Sequence, residues 1–142
     1  MFGKAPVRPS TMSTSPIVTD HVSARAWADR WIEAWNALDI ESVLALFADD
    51  CQFRSPKAAV ITGCGTVIGK PALRAYWTRA IENIAHLRFT LASAHWDGAQ
   101  RTLLIRYTAE LAAQRLLAAE VFDFLPDGRV ICGTAFYGAS TD

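Results

Sequence analysis

One carboxyl stands where strand-forming residues are otherwise apolar: Glu120, inside the run "RLLAAEVFDF". Residues two apart on a strand share a face, so Leu116, Ala118, Phe122 and Phe124 lie with Glu120, and Leu117, Ala119 and Val121 lie opposite. A carboxyl among such neighbours is desolvated, which raises its pKa and makes it an acid or proton shuttle. The alternative is a carboxylate at a sheet rim, paired with a base such as Arg106. An unpaired charge in an apolar strand is costly, which favours a neutral carboxyl in a pocket. Tyr137 shares a face with Gly133 and Ala135, two small residues that leave volume beside a hydroxyl. Tyr107, on the face of Leu103 and Ile105, could add a second hydroxyl. Either tyrosine could equally be an ordinary half-buried strand residue. In combination with Glu120 they describe proton transfer in an apolar pocket.

Other constellations fail on inspection. "GCGTVIGKP" has Cys64 where a phosphate loop requires its first glycine, Pro71 where it requires Ser or Thr, and no βαβ context. His21, His86 and His95 lack metal-ligand spacing, and His95 with Asp97 suits a turn. No serine sits in a nucleophile elbow. Asp49 and Asp50 look like paired acid–base carboxylates, but at a helix-to-strand corner capping and solvation explain them better. Arg54 alternates away from Phe53 and Ser55 and should face outward, whereas a slip of one residue would turn it into the pocket.

The elements that must position Glu120 follow from periodicity. A first helix begins after Thr19 or Asp20, either of which can cap it, with Ala24, Trp27, Trp31, Ala34, Trp35 and Leu38 on one face. Asn36 and Asp39 interrupt it, and Asp39 caps a second short helix whose buried side is Val43, Leu44, Leu46 and Phe47. "CQFRSP" is a strand, and "KAAVITGCGTVIGK" reads as a ragged strand and loop. A third helix starts near Gly69, with Pro71 in its first turn and a stripe of Leu73, Trp77, Ala80, Ile81 and Ile84. Four long strands close the chain, with Asp97-Gly98 and Pro126-Asp127-Gly128 as hairpin turns. Helices segregated from an antiparallel meander make an α+β fold of one domain over residues 21–138, after an arm at 1–20 and before a tail at 139–142. The last strands are apolar on both faces, and a second copy of the chain is the simplest cover for the outer one.

Composition narrows the partners. Fourteen basic and fourteen acidic side chains cancel, so no net field draws the protein to nucleic acid or to an anionic membrane. With 51% hydrophobic and 20% charged residues the chain is globular rather than disordered. No apolar run approaches the ~20 residues of a membrane span, and the first twenty residues lack the apolar core of a secretory signal. Cys51, Cys64 and Cys132, odd in number and irregularly spaced, suggest buried or half-buried thiols in a reducing compartment. A cytoplasmic protein that handles a small apolar molecule without metal or cofactor is expected.

The run "RWIEAWNALDIESVLALFADDCQFRSP", the "GKPALRAYW" helix and the ending "EVFDFLPDGRVICGTAFYG" resemble the nuclear transport factor 2-like, or SnoaL-like, superfamily, over residues 22–138. The resemblance implies a cone: three N-terminal helices packed in a strongly curved antiparallel sheet around a deep apolar pocket. It leaves activity open among isomerases, polyketide cyclases, dehydratases, epoxide hydrolases and non-catalytic binding modules. It matches Trp31 and Trp77 to two tyrosines of ketosteroid isomerases, Ser55 to their catalytic aspartate, and Glu120 to the protonated aspartic acid of their oxyanion hole. Indoles in place of phenols could donate a hydrogen bond but not relay a proton; tryptophans at helical spacing are otherwise core. A serine without an adjacent histidine or lysine is no base, which disfavours steroid isomerisation. The expected site is therefore Glu120 and Tyr137 as the acid–base groups, lined by Trp31, Trp77, Ser55, Phe53, Tyr107, Phe122 and Ala135.

Overall fold

The computed structural model describes residues 17–141. Helix α1 (His21–Asn36) starts at a reciprocal cap: Asp20 Oδ1 accepts from the Ser23 amide at 2.8 Å, and Ser23 Oγ accepts from the Asp20 amide at 3.0 Å. Ala24, Trp27, Ala28, Trp31, Ile32 and Trp35 form its buried face. The helix stops because Leu38 takes a left-handed φ of 55°, which leaves its side chain exposed rather than on the expected stripe. Asp39 then caps α2 (Ile40–Leu44) by accepting from the Ser42 amide at 3.1 Å.

Strand β1 (Phe47–Arg54) begins four residues earlier than "CQFRSP" suggests, so Phe47 belongs to the sheet, and Asp49 and Asp50 are exposed strand residues rather than a corner. The segment expected to be a ragged strand and loop is instead a helix followed by a short strand: α3 (Pro56–Thr62), then β2 (Thr66–Ile68). Ser55 Oγ caps α3 by accepting from the Lys57 amide at 3.1 Å, Pro56 occupies its first turn, and Gly63 ends it at φ 84°. These caps outweigh the β-branched composition of "KAAVIT". Helix α4 (Lys70–Glu82) buries Leu73, Tyr76 and Trp77.

The long strands are β3 (Leu87–Asp97), β4 (Thr102–Leu111), β5 (Gln114–Phe124) and β6 (Val130–Ser140), the last running two residues past the expected end of the domain. With the two earlier strands they form one curved, unclosed sheet in the order β2-β1-β6-β5-β4-β3. All neighbours are antiparallel except β1 and β6, which run parallel, a pairing that the meander of hairpins does not reveal. Register shifts between Leu91 and Ser93, Leu116 and Ala118, and Asp123 and Phe124 bend the strands and help curve the sheet around the helices.

The core is aromatic. Trp27 lies edge-on to Phe122 and Phe124 at 4.9 and 5.2 Å, and Trp31 packs on Tyr107, Phe89 and Phe122 at 5.2 to 5.7 Å. Val18 is buried with them, and Ile17 packs under the turn at Gly128. Residues 17–20 thus belong to the folded body rather than to a free arm, while the rest of that arm, residues 1–16, lies outside the described residues. No helix among the described residues is long and apolar enough to cross a membrane.

Candidate functional site

Glu120 faces inward. It pairs with Ile105 on β4 and Ala135 on β6, and Arg106 is paired with Ala119 on the exposed opposite face. The arginine is therefore no partner for it. Glu120 is 5% exposed, and its carboxyl accepts one hydrogen bond, from Tyr107 Oη at 3.4 Å. At that length the bond is weak. Burial pushes the carboxyl pKa up to about 8, against a smaller downward pull from the Tyr107 hydroxyl. At neutral pH Glu120 is a carboxylic acid and can donate.

The inner chamber it borders is about 50 Å³, room for one or two water molecules. Its wall joins Phe53 and Ser55 from the end of β1, Tyr76 and Trp77 from α4, and Tyr137 from β6. Trp35 stands edge-on to Trp77 at 5.1 Å, and Phe53 to the same ring at 5.4 Å, so interlocked aromatic rings form the apolar wall on that side. Outside lies a larger cleft of about 460 Å³ between α3, α4 and the strand ends, lined by Val60, Ile61, Asn83 and Leu116 among others. Lys57, Ala80, Ile84 and Tyr137 line both spaces and form the junction between them.

The hydroxyls cluster. Tyr107 donates to Glu120, and the Tyr107 and Tyr137 hydroxyls lie close enough for each to influence the other's pKa. Burial first, then the nearby Glu120, raises the pKa of both phenols. Tyr76 is raised by burial as well, with the Ser55 hydroxyl beside it pulling the other way. Each phenol of the site therefore holds its proton at neutral pH. Lys57 carries its Nζ over the Tyr137 ring, 4.8 Å from the centroid, and burial lowers its pKa.

Of the residues that the sequence points to, Glu120, Tyr137, Trp77, Ser55 and Phe53 meet at the chamber, and Tyr107 reaches it through its hydrogen bond. Trp31 and Phe122 do not line it: both are core residues, 1% and 0% exposed. Ala135 lines a shallow cleft on the far side of Ser55, with Arg54 and Thr134. Gly133 opens no space either, because a methyl group there would sit 3.1 Å from Phe53 and 3.4 Å from Phe47. Its small size admits aromatic packing. Arg54 is exposed, 3.5 Å from Cys132 Sγ and 3.3 Å from Gln52, so the outward assignment holds and the slipped register does not.

Tyr76, Trp35, Phe89 and Lys57 are wall residues absent from the expected site. Tyr76 was within reach of the same helical spacing, three residues after Leu73 and four before Ala80. Lys57 was hidden because its segment reads as loop. Cys51 is buried, Cys132 half-buried and Cys64, contrary to expectation, exposed; all three are free. Among the described residues no three His, Cys, Asp or Glu side chains gather to hold a metal ion.

Comparison with known proteins agrees with this architecture. The family model for the SnoaL-like domain matches residues 28–132. A SnoaL-like protein of unknown function from Burkholderia thailandensis is 32% identical, with a TM-score of 0.77 over 85% of this chain and 98% of its own. An NTF2-like protein of unknown function from Burkholderia pseudomallei is 22% identical, with a TM-score of 0.68 over 78% of this chain and 86% of its own. A protein with a ketosteroid isomerase-like fold from Catenulispora acidiphila is 16% identical, with a TM-score of 0.63 over 78% and 84%. At these lower identities the likeness is one of fold. A search of curated proteins produced no match. On the extent of the family match and on its fold, the chain belongs to the SnoaL-like domain family.

Proposed function

We propose that this SnoaL-like protein binds a small, largely apolar molecule and acts on it by cofactor-free proton transfer, with Glu120 as the acid. The observation that carries this is a carboxyl held neutral at the wall of an apolar chamber, tied to two phenols that also keep their protons. Such a group donates to an oxygen that becomes more basic in the transition state, a carbonyl or an epoxide, and in this reading Tyr107, which donates to Glu120, and Tyr137 beside it return the proton. The chemistry is that of an isomerase, cyclase, dehydratase or epoxide hydrolase. A chamber of about 50 Å³ accepts only the reactive head of a substrate, so the apolar body would rest in the outer cleft.

The test is Glu120→Gln, assayed on small ketones and epoxides. Turnover should fall by about 10²–10⁴ while binding affinity stays within a few-fold. In the native protein, activity that needs the acid form should decline as pH rises through about 8. Equal affinity with no turnover in either protein would instead make this a binding module. One observation favours that second reading: Ser55, matched to the base of the isomerases, caps α3 by accepting from the Lys57 amide, and a serine without an adjacent histidine is no base.

The outer sheet face is proposed to pair with a second copy. Leu117 and Phe136 are each 53% exposed there, and zero net charge raises no barrier between copies. Three free thiols suit a reducing compartment, in keeping with a cytoplasmic location.

A further inference from the structure

Lys57 stands, with Ala80, Ile84 and Tyr137, where the wall of the inner chamber meets that of the outer cleft, since it lines both. Its ammonium has no carboxylate within ion-pair distance among the described residues, although Lys70, Arg74 and Arg129 each have one. Its contact is the face of Tyr137 at 4.8 Å, an arrangement that favours the charged form of the amine. The acid closest in function, Glu120, is neutral and does not compensate it. The rest of the cleft wall is mostly apolar: Pro56, Val60, Ile61, Ala80, Ile84 and Leu116. A half-buried, unpaired cation set in an apolar passage is unfavourable in the empty protein and favourable once an anion arrives.

We infer that the ligand of this site is an anion: an apolar molecule that carries a carboxylate close to its reactive carbonyl, with the carboxylate held by Lys57 at the junction of the two spaces. The carbonyl head then lies in the chamber at Glu120, and the apolar body lies against Val60, Ile61 and Leu116. This deepens the function proposed above and rests on it, because it takes the same cavity as the binding site. Lys57 is assigned to recognition. A salt bridge to the carboxylate fixes how far the head enters, and so which carbon faces the acid.

The probe is 2-benzyl-4-oxopentanoate, which has a methyl ketone head, a carboxylate in the middle and a benzyl body. Its methyl ester is the neutral match. Dissociation constants for both would be measured by ligand-observed NMR on the native protein, Lys57→Met and Lys57→Arg, each confirmed folded by circular dichroism. The native protein should prefer the acid over the ester by about tenfold or more. Lys57→Met, which keeps the apolar stem, should lose the preference while still binding the ester, and Lys57→Arg should restore most of it. Equal binding of acid and ester by the native protein, or a preference that survives Lys57→Met, would overturn the anion assignment and leave the pocket standing. If neither compound binds the native protein, the pocket function itself falls, and this inference with it.

Discussion

Glu120 and its two phenols trade stability for a proton held at neutral pH. Burial pushes the folded carboxyl up to about 8, against its ordinary value of 4.5. A raised carboxyl pKa means that the folded state keeps a proton that the unfolded state has lost, between those two values. Stability from this group is therefore undiminished below about 4.5, drains away as pH rises toward 8, and levels off above it. The size is on the order of 5 kcal/mol. Thermal melts of the native protein should show the midpoint falling steadily from pH 5 to pH 8. In Glu120→Gln, which cannot ionise, the same melts should be much flatter over that window. A native profile as flat as the variant's would mean that Glu120 is not buried as a neutral acid. Acidic pH acts on other groups: Asp20, Asp39, Glu41 and Asp127 are all held below the usual carboxylate range by caps or by arginines, and they lose those contacts as pH falls.

Elements hold the chamber together through a few specific links. Strand β3 is an edge of the sheet, and its backbone at Phe89 is met by a side chain instead of a further strand. Asn36, the last residue of α1, donates to the Phe89 carbonyl at 2.9 Å and accepts from the Phe89 amide at 2.7 Å. One amide thus satisfies two strand groups, blunts an edge, and ties the tryptophan helix to a residue of the chamber wall. Asn36→Ala should cost about 1–3 kcal/mol, because both Phe89 groups lose their partner in a half-buried place. It should also weaken ligand binding, since Phe89 stacks near Trp35 and Trp31. Urea unfolding checks the first expectation and a ligand titration the second. An unchanged midpoint would mean that water replaces the amide at no cost. α3 matters in the same way: its caps at Ser55 and Gly63 set where Lys57 stands.

Among the described residues, the outer face of the sheet is not covered by the helices. Rows such as Arg106–Ala119–Phe136 and Leu104–Val121–Thr134 run across β4, β5 and β6 on the outside of the sheet. If a second copy packs there, sedimentation of the native protein should report a dimer, and Leu117→Glu with Phe136→Glu should give a folded monomer. A native monomer at micromolar concentration would remove that proposal. At this scale the sequence and the tertiary structure divide the work. Local information determined the α+β class, a cap at Thr19 or Asp20, the break at Asp39, the turns at Asp97-Gly98 and Pro126-Asp127-Gly128, and which residues share a face with Glu120, because each depends on residues within a turn or on a two-residue alternation. The parallel pairing of β1 with β6, the helical state of α3, the removal of Trp31 and Phe122 from the pocket, and the arrival of Tyr76 and Lys57 at its wall were settled by tertiary packing. Periodicity says which side of an element faces inward. Only the crossing of helices over a curved sheet decides which inward side chains meet one another in the core and which are left facing empty space.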